Sequence, residues 1–145
     1  MTQTSDSPRT GTGLAWGLLA GLVFALLYGA SAELFGLTFG LPVVALIGGW
    51  IIGTAVAYGA WGESAHAPER SLRRGAVVFA VVGWLLGLVI AYVVSQAFIP
   101  AASMPLSDRL SLGGFFDYLL GLDIVRFIHL ISLAFVALMA WRAAR

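Results

Sequence analysis

Residues 75–99 read GAVVFAVVGWLLGLVIAYVVSQAFI, a run of 25 residues without one charged side chain. A helix that crosses the roughly 30 Å hydrocarbon core of a bilayer needs about 20 mostly apolar residues, so this run is long enough to span a membrane. Residues 14–29, 41–62 and 124–141 are similarly apolar, and Arg126 is the only charged residue in the four stretches. The pattern predicts an all-α integral membrane protein, a four-helix bundle of four spans.

The composition of the whole chain points the same way. Of its 145 residues, 60% are hydrophobic and 10% are charged, whereas about 25% of the residues of a soluble domain are charged. The formal net charge of +1 offers no clustered basic face for nucleic acid. The sequence contains no cysteine, which excludes disulfides and thiolate metal sites. We therefore expect the lipid bilayer as a partner and no nucleic acid.

The polar and apolar segments divide the chain into a tail and one domain. Residues 1–13 are small and polar, which predicts a disordered cytoplasmic tail. Residues 14–145 form a single predicted membrane domain. Its spans are expected at about 14–35, 41–61, 75–99 and 122–142.

Two local signals refine these boundaries. Pro42 lies in the first turn of the second span, where its missing N–H is harmless. Residues 114–121 read GFFDYLLG and predict a short helix in the outer interface, with Asp117 facing water.

Charge and tryptophan placement predict the orientation. With the N-terminus inside, Arg109 is the only arginine in an outer loop, and cytoplasmic segments are expected to carry the excess of basic residues. The inner segments hold Arg9, Arg70, Arg73, Arg74, Arg142 and Arg145. Trp16, Trp61 and Trp141 fall at inner span ends, where an aromatic belt belongs. Both signals predict a multi-pass protein of the bacterial inner membrane with N-in/C-in topology.

A cleaved signal peptide is an alternative for the first span. Ala30-Ser31-Ala32 follows a basic residue and an apolar run and fits a signal-peptidase site. Cleavage after Ala32 would leave three spans with the N-terminus outside. The first span also carries a packing pattern that a discarded peptide would not need, which favours its retention.

Small residues recur every fourth position along three of the spans, a glycine zipper pattern. Such a stripe lets two helix backbones approach closely, which matters where lipid provides no hydrophobic drive for association. The helix-packing residues predicted from this spacing include Gly13, Gly17, Gly21, Gly49, Gly53, Gly83 and Gly87. The spacing is compatible both with internal folding and with self-association.

The second and third spans share a longer motif, GWxxGxxxAY, at residues 49–58 and 83–92. Because the two spans cross in opposite directions, the copies would be related by a pseudo-two-fold axis in the membrane plane. We expect symmetric packing rather than a transport site, since transporter repeats comprise several helices. Trp50 and Trp84 would lie near the midplane, where each indole N–H needs a partner such as a backbone carbonyl or Thr54.

Polar residues gather at the outer end of the fourth span. Asp123, Arg126 and His129 are spaced three apart and lie on one flank of the helix, where Asp123 can cap the N-terminus. Arg126 can snorkel to the headgroups or pair with Asp123 or Glu33. A capped helix with an anchored arginine accounts for this pattern. The functional alternative is a polar site of Glu33, Asp123, Arg126 and His129.

No catalytic or metal-binding motif is present in the sequence. HExxH, nucleophile-elbow, P-loop and dinucleotide-binding signatures are all missing, so we predict no enzyme and no resident cofactor. His129 is the only histidine in a span; a single histidine can ligate a pigment, or a haem shared across a dimer, but usually only forms hydrogen bonds. Arg70, Arg73 and Arg74 act as a topology signal or contact anionic lipid or a partner.

Residues 33–60, ELFGLTFGLPVVALIGGWIIGTAVAYGA, resemble the second-helix region of small bacterial four-span membrane proteins of uncharacterised function. Residues 115–142 resemble the closing helix of the same group. The resemblance implies the same fold and brings no assigned catalytic or binding residues.

These observations lead to three functional hypotheses. The first is a non-enzymatic packing, scaffold or accessory subunit that forms a homo-oligomer or joins a larger membrane complex. The second is a small transporter or channel with an outer polar site. The third is a pigment- or haem-binding accessory subunit that uses His129.

Overall fold

A computed structural model describes residues 9–62, 69–98, 105–120 and 123–144. Within these ranges the chain forms six α-helices and no strand, so the all-α prediction is confirmed. The helices are α1 (Thr10–Glu33), α2 (Leu41–Trp61), α3 (Arg70–Ala97), α4 (Leu106–Arg109), α5 (Leu112–Leu120) and α6 (Asp123–Ala143). A 3₁₀ turn, Thr38–Gly40, leads into α2, and Pro42 lies in the first turn of α2 as predicted.

Three helical segments are long and apolar enough to cross a membrane. They are α1, the 3₁₀ turn together with α2, and α3. The apolar part of α6 is shorter and covers Phe127–Ala143. The outward sides of the helices carry large apolar side chains such as Leu26 and Phe127. Apolar helices that are also apolar on their outside are typical of membrane proteins, and the structure therefore supports a membrane protein with transmembrane helices.

The observed helix bounds differ from the predicted spans mainly at the N-terminal ends. Helix α1 begins at Thr10, so residues 10–13 are helical rather than part of a disordered tail; residues 1–8 lie outside the described ranges. Packing against α2 explains the early start, because the Arg9 N–H donates to the Ala60 carbonyl oxygen at 3.0 Å and Gly13 is buried. Helix α3 likewise begins at Arg70 instead of residue 75.

The four long helices form a bundle in the order α1–α2–α6–α3 around a common core. The most extensive contacts join α1 to α3 and α2 to α6, and α1 also packs along α2. Helices α1 and α3 run parallel, since Gly17 meets Phe79 and Gly29 meets Ile90. Helices α2 and α6 also run parallel, with Gly49 beside Val136. The bundle thus consists of two pairs of parallel helices, and the two pairs run antiparallel to each other.

Glycines lie where the helices approach most closely. A Cβ on Gly53 would lie 2.5 Å from the Ala140 carbonyl oxygen of α6, and one on Gly83 would lie 2.8 Å from the Gly21 carbonyl oxygen of α1. A Cβ on Gly13 would lie 2.7 Å from the Val56 carbonyl oxygen of α2. Real Cβ atoms do not approach other atoms this closely. These glycines therefore permit contacts inside one chain.

Candidate functional site

A polar cluster lies in the interior of the bundle, where α1, α3 and α6 meet. The Tyr28 hydroxyl and His129 Nδ1 share a hydrogen bond of 2.8 Å, although 101 positions separate the two residues in the chain. Tyr28 is fully buried and His129 is 6% exposed. The side chains of Ser132 and Trp84 lie beside the Tyr28 hydroxyl. We call these four residues the Tyr28–His129 cluster.

Close helix packing positions the Tyr28–His129 cluster. A Cβ on Gly29 would lie 2.8 Å from the Gly87 carbonyl oxygen, so the glycines bring the end of α1 onto α3. His129 and Ser132 are three residues apart and therefore share one face of α6. The Ser132 hydroxyl donates to the Ile128 carbonyl oxygen at 2.8 Å, which satisfies that donor within its own helix.

The hydrogen bonds of the cluster depend on the histidine tautomer. When His129 carries its proton on Nε2, the Tyr28 hydroxyl donates to Nδ1; when the proton is on Nδ1, His129 donates to the Tyr28 oxygen. The bond to Tyr28 is the one hydrogen bond of the His129 ring to a residue that the structure describes. The Trp84 indole N–H is buried and lacks a hydrogen-bond partner within the described ranges, so the expectation that it finds one is wrong.

An apolar cavity of about 190 Å³ lies next to His129, between α3, α5 and α6. Its described lining consists of Trp84, Leu85, Leu88, Leu119, Leu120, His129 and Leu130. His129 is thus the only ionisable side chain in the described wall. Because Nδ1 is engaged by Tyr28, Nε2 is the nitrogen available to a molecule in the cavity. We call this space the His129 cavity.

A second polar contact lies at the end of the bundle where α1 ends. The Tyr118 hydroxyl of α5 donates to the carboxylate of Glu33. Burial raises the pKa of the Tyr118 phenol, and the neighbouring Glu33 carboxylate raises it further, because ionising the phenol would place two negative charges together. The phenol therefore remains a hydrogen-bond donor to Glu33.

Tyr92 attaches the α4–α5 segment to α3. Its hydroxyl donates to the Arg109 carbonyl oxygen at 3.2 Å, and its ring lies 5.6 Å from Phe115 and 5.7 Å from Tyr118. A Cβ on Gly114 would lie 2.5 Å from the Tyr92 hydroxyl, so α5 lies close to the end of this side chain. The predicted short helix at residues 114–121 is thus present as α5, with Asp117 exposed.

Of the predicted polar site, the structure describes the side chains of Glu33 and His129. Glu33 bonds to Tyr118 and His129 bonds to Tyr28, so the two have separate partners. Asp123 is the first residue of α6. The side chains of Asp123 and Arg126 lie outside the described part of the structure, and their predicted pairing stays a prediction.

The arginines near the start of α3 have different surroundings. The Arg73 guanidinium carbon lies 5.4 Å from the centre of the Trp141 ring, a cation–π contact that joins α3 to α6. Arg70 and Arg74 are exposed. Arg70 is the first residue of α3, where a positive charge opposes the helix dipole. At the other end of α3, Arg109 donates from Nη1 to the Gln96 carbonyl oxygen at 2.7 Å.

The two copies of GWxxGxxxAY occupy different environments. In α3, Trp84 is 8% exposed and Tyr92 is 5% exposed, because α5 and α6 cover them. In α2, Trp50 is 54% exposed and Tyr58 is 57% exposed. The glycines of both copies face a neighbouring parallel helix, α6 for the α2 copy and α1 for the α3 copy. In both copies the glycines pack against a neighbouring helix. The tryptophan and tyrosine are covered only in the α3 copy.

Sequence reasoning missed most of the partners that build these sites. Tyr28, Trp84 and Tyr118 contact histidine or glutamate only through the tertiary arrangement, and no local spacing relates them. One signal was available: Tyr28 lies between Ala25 and Gly29 of the small-residue stripe, a face predicted to be buried. Within the described ranges, no group of three or more His, Asp or Glu side chains is arranged to hold a metal ion.

No protein-family model, no curated protein and no solved structure matches this chain.

Proposed function

We propose that the protein is a non-enzymatic accessory or scaffold subunit of a membrane assembly, with four spans and both termini on the cytoplasmic side of a bacterial inner membrane. The observation that carries this proposal is the uncovered face of α2 around Trp50, Thr54 and Tyr58. The length of α6 supports the fourth span, and the distribution of charge supports the orientation. The comparison of the two motif copies supports a contact at this face.

The length of α6 supports a fourth span. Its apolar part, Phe127–Ala143, is about 26 Å long at 1.5 Å per residue, close to the roughly 30 Å hydrocarbon core of a bilayer. Helix α6 also packs along α2 and α3 in the same bundle. The proposal keeps α1 in the mature protein, because Gly17, Gly21 and Gly29 pack it against α3.

Charge and aromatic residues support the proposed orientation. The start of α1, the end of α2, the start of α3 and the end of α6 lie at one end of the bundle, as the Arg9–Ala60 and Arg73–Trp141 contacts require. This end carries most of the arginines and three of the five tryptophans. Basic residues are enriched on the cytoplasmic side and tryptophans at the interfaces.

The small-residue stripes do not provide the surface for association, since their glycines are occupied inside the chain. The outward face of α2 provides one instead. Trp50, Thr54 and Tyr58 are four residues apart, exposed, and without a hydrogen-bond partner among the described residues. Trp50 is nine residues from the start of α2, or about 14 Å, near mid-membrane, where lipid cannot accept its N–H. Such groups favour contact with another helix.

The other copy of the motif indicates what covers this face. In α3 the corresponding tryptophan and tyrosine are covered by α5, whereas no described segment covers Trp50 and Tyr58. An apolar groove of about 220 Å³ lies beside them, between α1 and α2, with Ile47 and Ile51 in its wall. A helix from a second copy of this chain or from another subunit fits this surface if its face is apolar and carries a polar side chain that accepts the Trp50 N–H.

A paired substitution tests the proposal. Trp50→Leu with Thr54→Val keeps the face apolar but removes both hydrogen-bonding groups. We expect the complex formed in mild detergent to dissociate at least about tenfold more readily, equivalent to about 1.4 kcal/mol, when its mass is measured by light scattering. Trp16→Leu is the matched control, since Trp16 is exposed to a similar extent on α1.

Two outcomes would overturn the proposal. One is a wild-type protein that stays monomeric and retains no partner after gentle extraction from its own membrane. The other is equal dissociation of the paired variant and the Trp16→Leu control, which would show that the α2 face is not the contact.

A further inference from the structure

We propose that the His129 cavity binds the head of a lipid-soluble carbonyl compound, a single ring whose carbonyl oxygen accepts a hydrogen bond from His129. The chemical class is that of a quinone with an apolar tail. This inference rests on the proposed membrane location but is independent of any partner subunit.

The size of the His129 cavity limits the ligand to about one ring. A cavity of about 150 Å³ lined by apolar side chains can hold a benzene molecule, and this cavity measures about 190 Å³. A six-membered ring with its carbonyl oxygens therefore fits. A haem or chlorophyll macrocycle contains four such small rings and exceeds the space, so the cavity does not support the pigment or haem hypothesis.

The hydrogen bond of His129 to Tyr28 indicates that the ligand carries an acceptor such as a carbonyl oxygen. With the Tyr28 hydroxyl donating to Nδ1, the proton of the neutral ring is on Nε2. Nε2 is then a donor on a ring that lines the cavity, and the bond to Tyr28 is the one hydrogen bond of this ring among the described residues. A carbonyl oxygen in the cavity accepts a hydrogen bond from Nε2 and favours the tautomer that offers it, while the remaining wall accepts an apolar ring.

The exposure of the wall explains how a membrane-dissolved molecule enters. Leu85, Leu120 and Leu130 each line the cavity and are also exposed on the outside of the bundle. The cavity thus opens between α3 and α6 toward the surface that faces lipid in the proposed membrane arrangement. A ring can enter from the bilayer while its tail remains among the lipid chains.

Leu120→Trp tests the cavity without changing the Tyr28–His129 cluster. Leu120 is an exposed wall residue of α5, so a larger side chain there fills the entrance. Leu138→Trp is the matched control, because Leu138 is similarly exposed on α6 but does not line the cavity. Tetramethyl-benzoquinone is the probe, and quenching of tryptophan fluorescence in detergent micelles measures its binding. We expect saturable quenching, a dissociation constant at least tenfold higher for Leu120→Trp, and no change for Leu138→Trp.

Infrared spectroscopy tests the hydrogen bond itself. With ¹³C-carbonyl-labelled quinone, we expect the carbonyl band to move to lower wavenumber in the wild type. The band should stay at its unbound position in His129→Phe, whose folding is checked by circular dichroism. If His129→Phe does not fold, the Leu120→Trp comparison still decides the proposal, since that variant leaves the cluster intact.

A second infrared arm uses a phospholipid with ¹³C-labelled ester carbonyls. A His129-dependent shift of this band without quinone binding would assign the same hydrogen bond to a membrane lipid. It would overturn the proposal that the ligand is a ring compound. Absence of saturable quinone binding, or equal binding by the Leu120→Trp variant, would overturn the cavity proposal. Light scattering on the same samples measures association separately. A failure of the ligand-binding proposal can therefore be distinguished from a failure of the proposed scaffold function.

Discussion

Gly53→Ala is the most direct perturbation of the packing between α2 and α6. A Cβ at this position would lie 2.5 Å from the Ala140 carbonyl oxygen, 2.7 Å from the Ala143 Cβ and 2.9 Å from the Ala144 nitrogen. Two of the three atoms belong to the backbone, so no side-chain rotation can relieve the clash. Normal contact distances begin near 3.4 Å, and α6 would have to move away by about 1 Å.

Two opposing effects determine the magnitude. Overpacking of this kind destabilises a protein by about 1–3 kcal/mol, and a gap of about 1 Å loses up to half of the dispersion energy of the neighbouring contacts. Alanine in place of a helical glycine raises the stability by about 1 kcal/mol, because alanine has the higher helix propensity. We therefore expect Gly53→Ala to lower the free energy of unfolding by up to about 2 kcal/mol.

Gly49 sharpens this prediction, because it contacts α6 one turn earlier, at Val136. The movement of α6 that accommodates one methyl group also accommodates the second. The double variant Gly49→Ala with Gly53→Ala should therefore lose less stability than the sum of the two single losses.

Reversible unfolding in mixed micelles of dodecyl maltoside and dodecyl sulfate, followed by circular dichroism, measures these differences. Gly11→Ala is the control, since a Cβ on Gly11 of α1 has nothing within 4 Å; we expect it to be neutral or slightly stabilising. The reasoning is refuted if Gly53→Ala is as stable as Gly11→Ala, or if the two α2 substitutions are fully additive.

Three further predictions concern single side chains. Tyr28→Phe leaves His129 Nδ1 buried without its partner, and we expect a loss of about 1–3 kcal/mol in unfolding free energy. Trp141→Leu removes the cation–π contact of Arg73 and should lower stability by about 0.5–1 kcal/mol. The raised pKa of Tyr118 means that the folded chain holds this proton more tightly than the unfolded chain, whose phenol titrates near pH 10. Stability should therefore be unaffected by this group below about pH 10 and fall as pH rises above it, less steeply in Tyr118→Phe.

Each of these predictions has a control in the same chain. Tyr58→Phe alters an exposed tyrosine and should leave unfolding unchanged, so equal losses for Tyr28→Phe and Tyr58→Phe would contradict the role of the buried hydrogen bond. Arg73→Gln should match Trp141→Leu, and a double variant should lose no more than either single one. Identical alkaline profiles for the wild type and Tyr118→Phe would refute the pH prediction.

The sequence sufficed to predict the long helices, because their signal is local. Exclusion of charge over about 20 residues and a proline in a first turn, such as Pro42, depend only on neighbouring positions. The spacing of Gly49 and Gly53 likewise predicts that they face another helix. That α6 is this helix, while Gly83 meets α1, follows only from the arrangement of the whole bundle.

The candidate site was harder to predict for the same reason. His129 was found as an isolated polar residue in a span, but Tyr28 lies 101 positions away and no spacing connects the two. Trp50 and Trp84 have the same local sequence and opposite environments, since only α3 is covered by α5. Local sequence cannot distinguish such copies, because tertiary neighbours determine their burial.

Cysteine accessibility tests most directly whether these helices cross a bilayer with both termini inside. The chain has no cysteine, so single cysteines can be placed without a background and labelled in intact cells with a membrane-impermeant maleimide. We predict labelling of Phe35→Cys and Ser107→Cys in intact cells. Thr12→Cys, Ser71→Cys and Ala143→Cys should react only after permeabilisation. Labelling of Ala143→Cys from outside, or recovery of the protein without detergent in the soluble fraction, would contradict the account.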